Sequence, residues 1–389
     1  MQRLARLSPV LSFLFAGTAA AAPARLEPLA ADDLAAPAVA ASDAPSTAPP
    51  GGPVRFTWPI DQAADDLDIR PAPHRAEAIG HSATVQPAEL RRGSPLPISH
   101  PGAFLKLSRQ TGAALDPAAL TLVDPQGVRH TGGAGLRPVG GPDSGAFTLD
   151  PALGVGRFTL EARLAEPAHI DVLERGSDIV LVARADRDVV FAGGDLHVDA
   201  RLLRAGAPQI ATITARLRAP DGRDRTLPLD RDRDHVHRGH LRVPDSARPG
   251  LWTLELRADA TLADRPVRRT TTTAVAISAP TARLTGAADV DHRAGALRSS
   301  LALEVASAGR YAVTAVLHGT NREGALQPIA VGQSADDLAP GRRHLELEFD
   351  AATISASGMG APFELRDLRL VDQGRMLVLH RQARALVAR

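Results

Sequence analysis

The chain has 389 residues, enough for two or three domains, and 44% of them are hydrophobic, enough to fill packed cores. Its 45 basic and 44 acidic side chains nearly cancel, so charge gives it no hold on nucleic acid or on an anionic membrane. Cysteine is absent, which excludes disulfides, thiolate metal sites, cysteine nucleophiles and a lipidated N-terminal cysteine.

The N-terminus has the layout of an export signal. Arg3 and Arg6 supply positive charge, Leu7–Ala16 is a short apolar run, and Ala19–Ala22 offers small residues for cleavage. Residues 1–21 are therefore expected to be a signal peptide, and the mature protein to be exported, periplasmic or secreted. The apolar run is too short to span a bilayer and no later run approaches that length, so no transmembrane segment is expected in the mature chain. Residues 22–53 are rich in Ala, Pro, Asp and Ser. Such a composition buries too little apolar surface to offset the entropy of ordering, and predicts a disordered linker.

A first β-sandwich is expected over residues 54–166. Phe56-Thr-Trp58 begins it with alternation, and Asp61–Arg70 reads as a helical or irregular approach. Gly102–Ser108 and Leu120–Val123 read as strands, the second ending in the turn Asp124-Pro-Gln-Gly127. Gly132–Gly145 reads as a long glycine-rich loop, and Phe147–Leu149 and Phe158–Leu164 close the module.

The second module, residues 167–278, is the clearest. Its strand candidates are His169–Leu173, Ile179–Ala183, Leu196–Leu203, Ile210–Leu217, Thr226–Leu229, His235–Val243, Leu251–Ala258 and Val267–Ile277. Short strands broken by frequent turn signals are the pattern of an immunoglobulin-like sandwich. In the third module, residues 279–389, Leu297–Val305 and Tyr311–Leu317 flank Ser307-Ala-Gly309 and suggest a hairpin. His344–Phe349, Phe363–Val371 and Met376–His380 complete the sheet, with the C-terminus packed in. The expected fold class is all-β, three tandem immunoglobulin-like β-sandwiches behind a signal peptide and linker.

One phrase recurs in all three modules. Gly156-Arg-Phe158-Thr-Leu160, Gly250-Leu-Trp252-Thr-Leu254 and Gly309-Arg-Tyr311-Ala-Val313 each join a glycine corner to an aromatic and a two-residue apolar period. With only 9 Phe, 2 Trp and 1 Tyr in the chain, this spacing predicts one aromatic anchor per core. Trp252 and Tyr311 read as core residues rather than sugar platforms, whereas the setting of Trp58 leaves both readings open.

Two stretches resemble a known family. Pro87-Ala-Glu-Leu-Arg-Arg-Gly93, Leu96-Pro-Ile98 and Pro101–Ser108 resemble the N-terminal part of a bacterial secreted family classed as a domain of unknown function. Gly360-Ala-Pro362-Phe363-Glu-Leu-Arg-Asp-Leu-Arg-Leu370 resembles its terminal sandwich. The resemblance implies successive β-rich domains and an exported location, and supplies no catalytic residue.

The densest polar cluster is Asp230-Arg-Asp232-Arg-Asp234-His235-Val-His237-Arg-Gly-His240. Asp230, Asp232 and Asp234 have the spacing of the first ligands of a calcium loop, but His235 and Leu241 stand where glycine and a bidentate carboxylate are needed. His235 and His237 on one strand face could instead serve a transition metal such as zinc. The alternative is a solvated hairpin whose charges guard its edge. Pro142-Asp143-Ser144-Gly145 echoes a serine-nucleophile loop without the flanking glycines, and Gly132-Gly-Ala-Gly135 opens no helix as a dinucleotide loop must. No Gly-x-Ser-x-Gly, His-Glu-x-x-His or phosphate-loop motif occurs. Arg268–Thr273 reads as an outer strand face. The expectation is a non-enzymatic binding or scaffolding protein without cofactor, acting on a protein partner or cell-surface component through loops or edges, with carbohydrate binding as the rival and a hydrolase of scattered residues as a third reading.

Overall fold

The computed structural model describes residues 22–42, 46–47, 51–60, 75–141 and 144–388. The expected signal peptide (1–21), the approach at 61–70 and Pro142-Asp143 lie outside the described residues. The chain is all-β and divides into two compact units, Arg70–Pro280 and the combination of Met1–Ile69 with Thr281–Arg389.

The Arg70–Pro280 unit holds two sandwiches. In the first, one sheet runs Leu136–Pro138, Ala146–Leu149, Phe104–Arg109, Ala168–Leu173, Gly80–Val85. The facing sheet runs Ser94–Ile98, Gly156–Ala162, Leu120–Val123, Arg129–Thr131. Alternating Leu105, Leu107, Leu122, Phe147, Phe158 and Leu160 fill the space between them. In the second sandwich, Asp230–Arg231, His237–Arg242, Asp195–Arg204, Ile179–Ala185 and Arg75–Ala78 face Val189–Phe191, Arg265–Ser278, Gly250–Leu262, Thr212–Arg218 and Asp224–Leu227. Val189–Phe191 joins its neighbour in parallel; the other pairs are antiparallel.

The boundary expected at residue 166 is corrected. Ala168–Leu173 is a central strand of the first sandwich, bonded to both Gly80–Val85 and Phe104–Arg109. Arg75–Ala78 pairs with Ile179–Ala185, so the chain passes from the second sandwich to the first at Ile79. Strands on either side of a boundary look alike in sequence, because both alternate. Leu136–Pro138 is a short strand inside the segment expected to be loop, held by Ala146–Leu149.

The three aromatic anchors hold. Phe158, Trp252 and Tyr311 are 0%, 8% and 0% exposed. Trp252 Nε1 donates to Arg248 O at 2.9 Å, and Tyr311 Oη donates to Ser307 O at 2.6 Å, each reaching a carbonyl four residues upstream. The first two corners share a further device. Gly156 and Gly250 have φ of 143° and 135°, which L side chains rarely adopt, and a Cβ there would lie 2.8 Å from Pro125 Cγ or 3.2 Å from Pro220 Cγ. Each proline sits in the hairpin turn beside its anchor strand, closed by Gly127 N to Asp124 O and by Gly222 N to Ala219 O, both 2.9 Å. Removing Cβ lets corner and turn approach.

In the other unit a four-stranded sheet runs Ala22–Arg25, Ala282–Arg293, Ala296–Val305, Gly341–Phe349. A six-stranded sheet runs Leu34–Ala35, Leu377–Ala388, Gly360–Asp372, Gly309–Thr320, Leu326–Leu338, Val54–Pro59. Tyr311, Phe349, Leu301 and Leu365 are all within 1% of full burial. Three expectations fall here. Ala296–Val305 and Gly309–Thr320 enter different sheets, so Ser307-Ala-Gly309 is an arch rather than a hairpin. The disordered linker is also corrected. Within residues 22–53, Ala22–Arg25 pairs with Ala282–Arg293 and Leu34–Ala35 with Leu377–Ala388, and Val54–Pro59, expected to begin the first sandwich, instead pairs with Leu326–Leu338 in this unit. Gly51 N donates to Asp337 Oδ2 at 2.7 Å between these strands. Backbone bonds order a segment whose side chains could not.

Candidate binding cleft

Arg265–Ser278 positions the site, because one face is buried in the second sandwich and the other meets the first sandwich at Thr270. Val267, Arg269, Thr271, Thr273, Val275 and Ile277 point into the second sandwich and are buried. On the other face, Thr270 Oγ1 accepts Ser82 N at 2.8 Å from the first sandwich. The outer face expected at Arg268–Thr273 is thus corrected: its alternate residues are buried, and Arg269 is 0% exposed.

A buried arginine needs a counter-charge and hydrogen-bond acceptors. Arg269 Nη2 donates to Glu174 Oε2 at 2.7 Å, and Glu174 is also fully buried. The guanidinium donates further to Ile179 O (2.9 Å), Arg268 O (2.8 Å), Ser99 Oγ (3.0 Å) and Ser177 Oγ (2.9 Å). Glu174 also accepts Ser99 N at 2.7 Å and the Ser99 hydroxyl. The joint between the sandwiches is therefore a closed polar network.

Beside this joint the sandwiches leave two adjoining hollows, of about 710 Å³ and 430 Å³, which share Pro95 and Arg268. Ser94–Ile98 forms one wall. Its prolines donate no ladder bond, which confines it to a sheet edge, where it pairs with Gly156–Ala162 alone. Ile210, 63% exposed, supplies apolar surface from the second sandwich. Arg157 and Arg231 line the larger hollow, both are exposed, and neither has a carboxylate partner among the described residues. Asp259, at the same rim, is already engaged by Arg257 Nε at 2.6 Å and Arg268 Nε at 2.8 Å. Burial raises the Asp259 carboxyl, but those two bonds outweigh it and hold the group below the usual carboxylate range.

His81 lines the smaller hollow, 4% exposed, with an Nδ1 that has no hydrogen-bond partner among the described residues. Burial, then the adjacent Arg268 and Arg269, push its pKa down to about 3. The imidazole is therefore neutral at physiological pH.

The metal candidates are placed differently from expectation. Asp230 is exposed on its strand. Asp232 Oδ1 accepts Asp234 N and Val236 N, both at 2.9 Å, closing the turn, and Oδ2 meets Arg238. His235 has φ 58° and sits in that turn, while His237 begins the next strand, so the two do not share a strand face. Burial lowers the His237 pKa. Among the described residues no three His, Asp or Glu side chains are grouped to hold a metal ion. Ser144, of the protease-like motif, donates to Val139 O at 2.8 Å and caps its own loop. Arg157, Arg231 and the Arg269–Glu174 pair carried no signal in sequence, since each matters only through a neighbour distant in the chain.

The pattern described as domain of unknown function (DUF4785) N-terminal domain matches residues 50–174, and that of the C-terminal domain matches 281–389. The first includes Ala168–Leu173, in agreement with the observed limit of the first sandwich. A crystal structure of a DUF4785 family protein from Legionella pneumophila has a similar fold, with a TM-score of 0.76 at 20% identity over 91% of this chain and 98% of that one. The native alpha-2-macroglobulin of E. coli matches over 81% of this chain and 20% of its own, at 12% identity and a TM-score of 0.31. No curated protein matches in sequence. Carrying both the N-terminal and the C-terminal domain patterns, the chain belongs to the DUF4785 family.

Proposed function

We propose that the protein is an exported, non-enzymatic binding module that uses the cleft of the Arg70–Pro280 unit to hold an acidic segment of a protein partner at the cell envelope or outside it. The observation that carries this reading is the pair of guanidiniums, Arg157 and Arg231, facing a proline wall and the exposed Ile210 without counter-charges among the described residues. Arginines beside apolar surface are the composition of binding hot spots, and a carboxylate would complete their hydrogen bonding in two-pronged geometry. The carboxylate of the larger hollow, Asp259, has both oxygens occupied by arginines, which suits a structural role better than proton transfer. Export rests on the arginine-flanked apolar run at Leu7–Ala16.

The test is photo-crosslinking in the producing cells. A photoreactive residue at Ile210 should yield a discrete adduct with one protein, lost in the Arg157→Glu/Arg231→Glu variant. The same probe at Val128, 54% exposed on the first sandwich, should not yield it. Equal adducts from both positions, or an adduct that survives charge reversal, would remove the cleft from consideration.

A further inference from the structure

A second surface, in the other unit, has a different chemistry. Val54–Pro59 is the terminal strand of the six-stranded sheet. Its alternation sends Arg55 to Glu346 and the Thr57 hydroxyl to Glu348 O, both on Gly341–Phe349 of the facing sheet. Phe56 and Trp58 therefore point to the outer face. They are 51% and 47% exposed. The rings lean on each other, with centroids 5.4 Å apart and planes inclined by 26°. The other tryptophan, Trp252, is 8% exposed, and the one tyrosine is fully buried.

The surroundings narrow the choice of occupant. Across the sheet, Phe56 stands in register with Gln333 and then Thr314, and Trp58 with Val331 and then Val316. An amide and a hydroxyl thus flank the aromatic pair. The charges lie further along the sheet and are engaged with one another: Arg366 and Arg384 share Glu364 at 2.8 and 2.7 Å, and Arg369 binds Asp367 at 2.8 Å. The positions in register with the two rings carry an amide, a hydroxyl and two valines but no charge, so nothing beside the rings selects an acidic or basic ligand. The face fits a ligand that presents flat C–H surface on one side and uncharged hydroxyls at its edge.

We propose that Phe56 and Trp58 form a stacking platform for a neutral pyranose oligosaccharide, with Gln333 and Thr314 as its hydrogen-bonding flank. The rings already support each other, so little side-chain freedom is lost on binding. This surface is separate from the cleft argued above, and either can fail without the other.

The experiment uses the full chain with cellohexaose, chitohexaose and maltohexaose as probes, followed by calorimetry and tryptophan emission. At least one should bind saturably and shift the emission. Trp58→Ala and Phe56→Ala should each weaken that binding at least tenfold with an unchanged Tm, since both rings face solvent. Gln333→Ala should weaken it severalfold. The proposal is overturned if none of the three sugars binds, if Trp58→Ala binds as tightly as the parent, or if the emission responds to neutral phospholipid vesicles or polyglutamate and to no sugar.

Discussion

Arg269 and Glu174 give the sharpest test of the architecture. Replacing Arg269 by Met leaves the Glu174 charge fully buried with only the Ser99 amide and hydroxyl as donors. Breaking a buried pair from one side costs about 3–5 kcal/mol, mostly through the charge left behind. For a unit the size of Arg70–Pro280, each kcal/mol corresponds to roughly 2–4 °C, so the midpoint should fall by about 10 °C. Glu174→Leu should cost a similar amount, by stranding the guanidinium. The double variant removes both charges but leaves Ile179 O and Arg268 O without their donors, so it should not be neutral. Its loss should nevertheless fall short of the sum of the singles by about 2 kcal/mol or more. Urea unfolding of all four proteins measures this cycle, with hydrogen exchange assigning the transition to the unit. Singles that cost under about 1 kcal/mol, or losses that simply add, would refute the reasoning.

Two other substitutions probe separate devices. His81 is held neutral with a pKa of about 3, against 6.5 in an unfolded chain, so between those values the unfolded state binds more protons. Its contribution is complete above pH 6.5 and is lost as pH falls toward 3, amounting to about 2 kcal/mol between pH 6.5 and 5 at roughly 1.4 kcal/mol per unit. His81→Leu should flatten the stability–pH curve by that much over that interval in denaturant titrations, and a parallel curve would assign the acid lability to other groups. Gly156→Ala should cost about 2–4 kcal/mol by urea unfolding, because a strained φ of 143° adds to a contact 2.8 Å from Pro125. Gly112→Ala, at φ 88° with nothing within 4 Å, should cost about 1 kcal/mol, and equal losses would show that the corner–turn contact contributes nothing.

Local periodicity made much of the fold legible. The two-residue alternation of Gly250–Leu262 and the Pro-Gly corner before it predict a strand and its buried face from neighbours alone, and Trp252 lies where they place it. The Asp124–Gly127 turn is legible from its own proline and glycine. Sheet membership was not. Ala168–Leu173 alternates as well in one sandwich as in another, and only its bonds to Gly80–Val85 and Phe104–Arg109 decide. Ala282–Arg293 has no clear period in sequence, because Thr285–Asp291 is mostly small or polar and a bulge falls between Leu284 and Ala288. The candidate site was the least legible part. Arg268–Thr273 looks like a polar outer face until Glu174 is brought to Arg269, and an arginine in a chain of arginines carries no mark of burial.

The strands Ala22–Arg25, Leu34–Ala35 and Val54–Pro59 bear on how the protein can meet a partner. Sheet edges invite strand addition unless they are short, charged or covered. These strands cover three such edges: Ala22–Arg25 closes one side of the four-stranded sheet, and Leu34–Ala35 and Val54–Pro59 close both sides of the six-stranded one. The new outer edges are four, two and six residues long, and the longest ends in Pro59, which has no amide hydrogen to offer. The remaining edge, Gly341–Phe349, carries Arg342, His344, Glu346 and Glu348 along one side, hydrated polar groups of the kind that blunt a sheet edge. With its edges blunted, the unit retains the faces of its sheets for recognition, and the exposed rings of Phe56 and Trp58 lie on such a face.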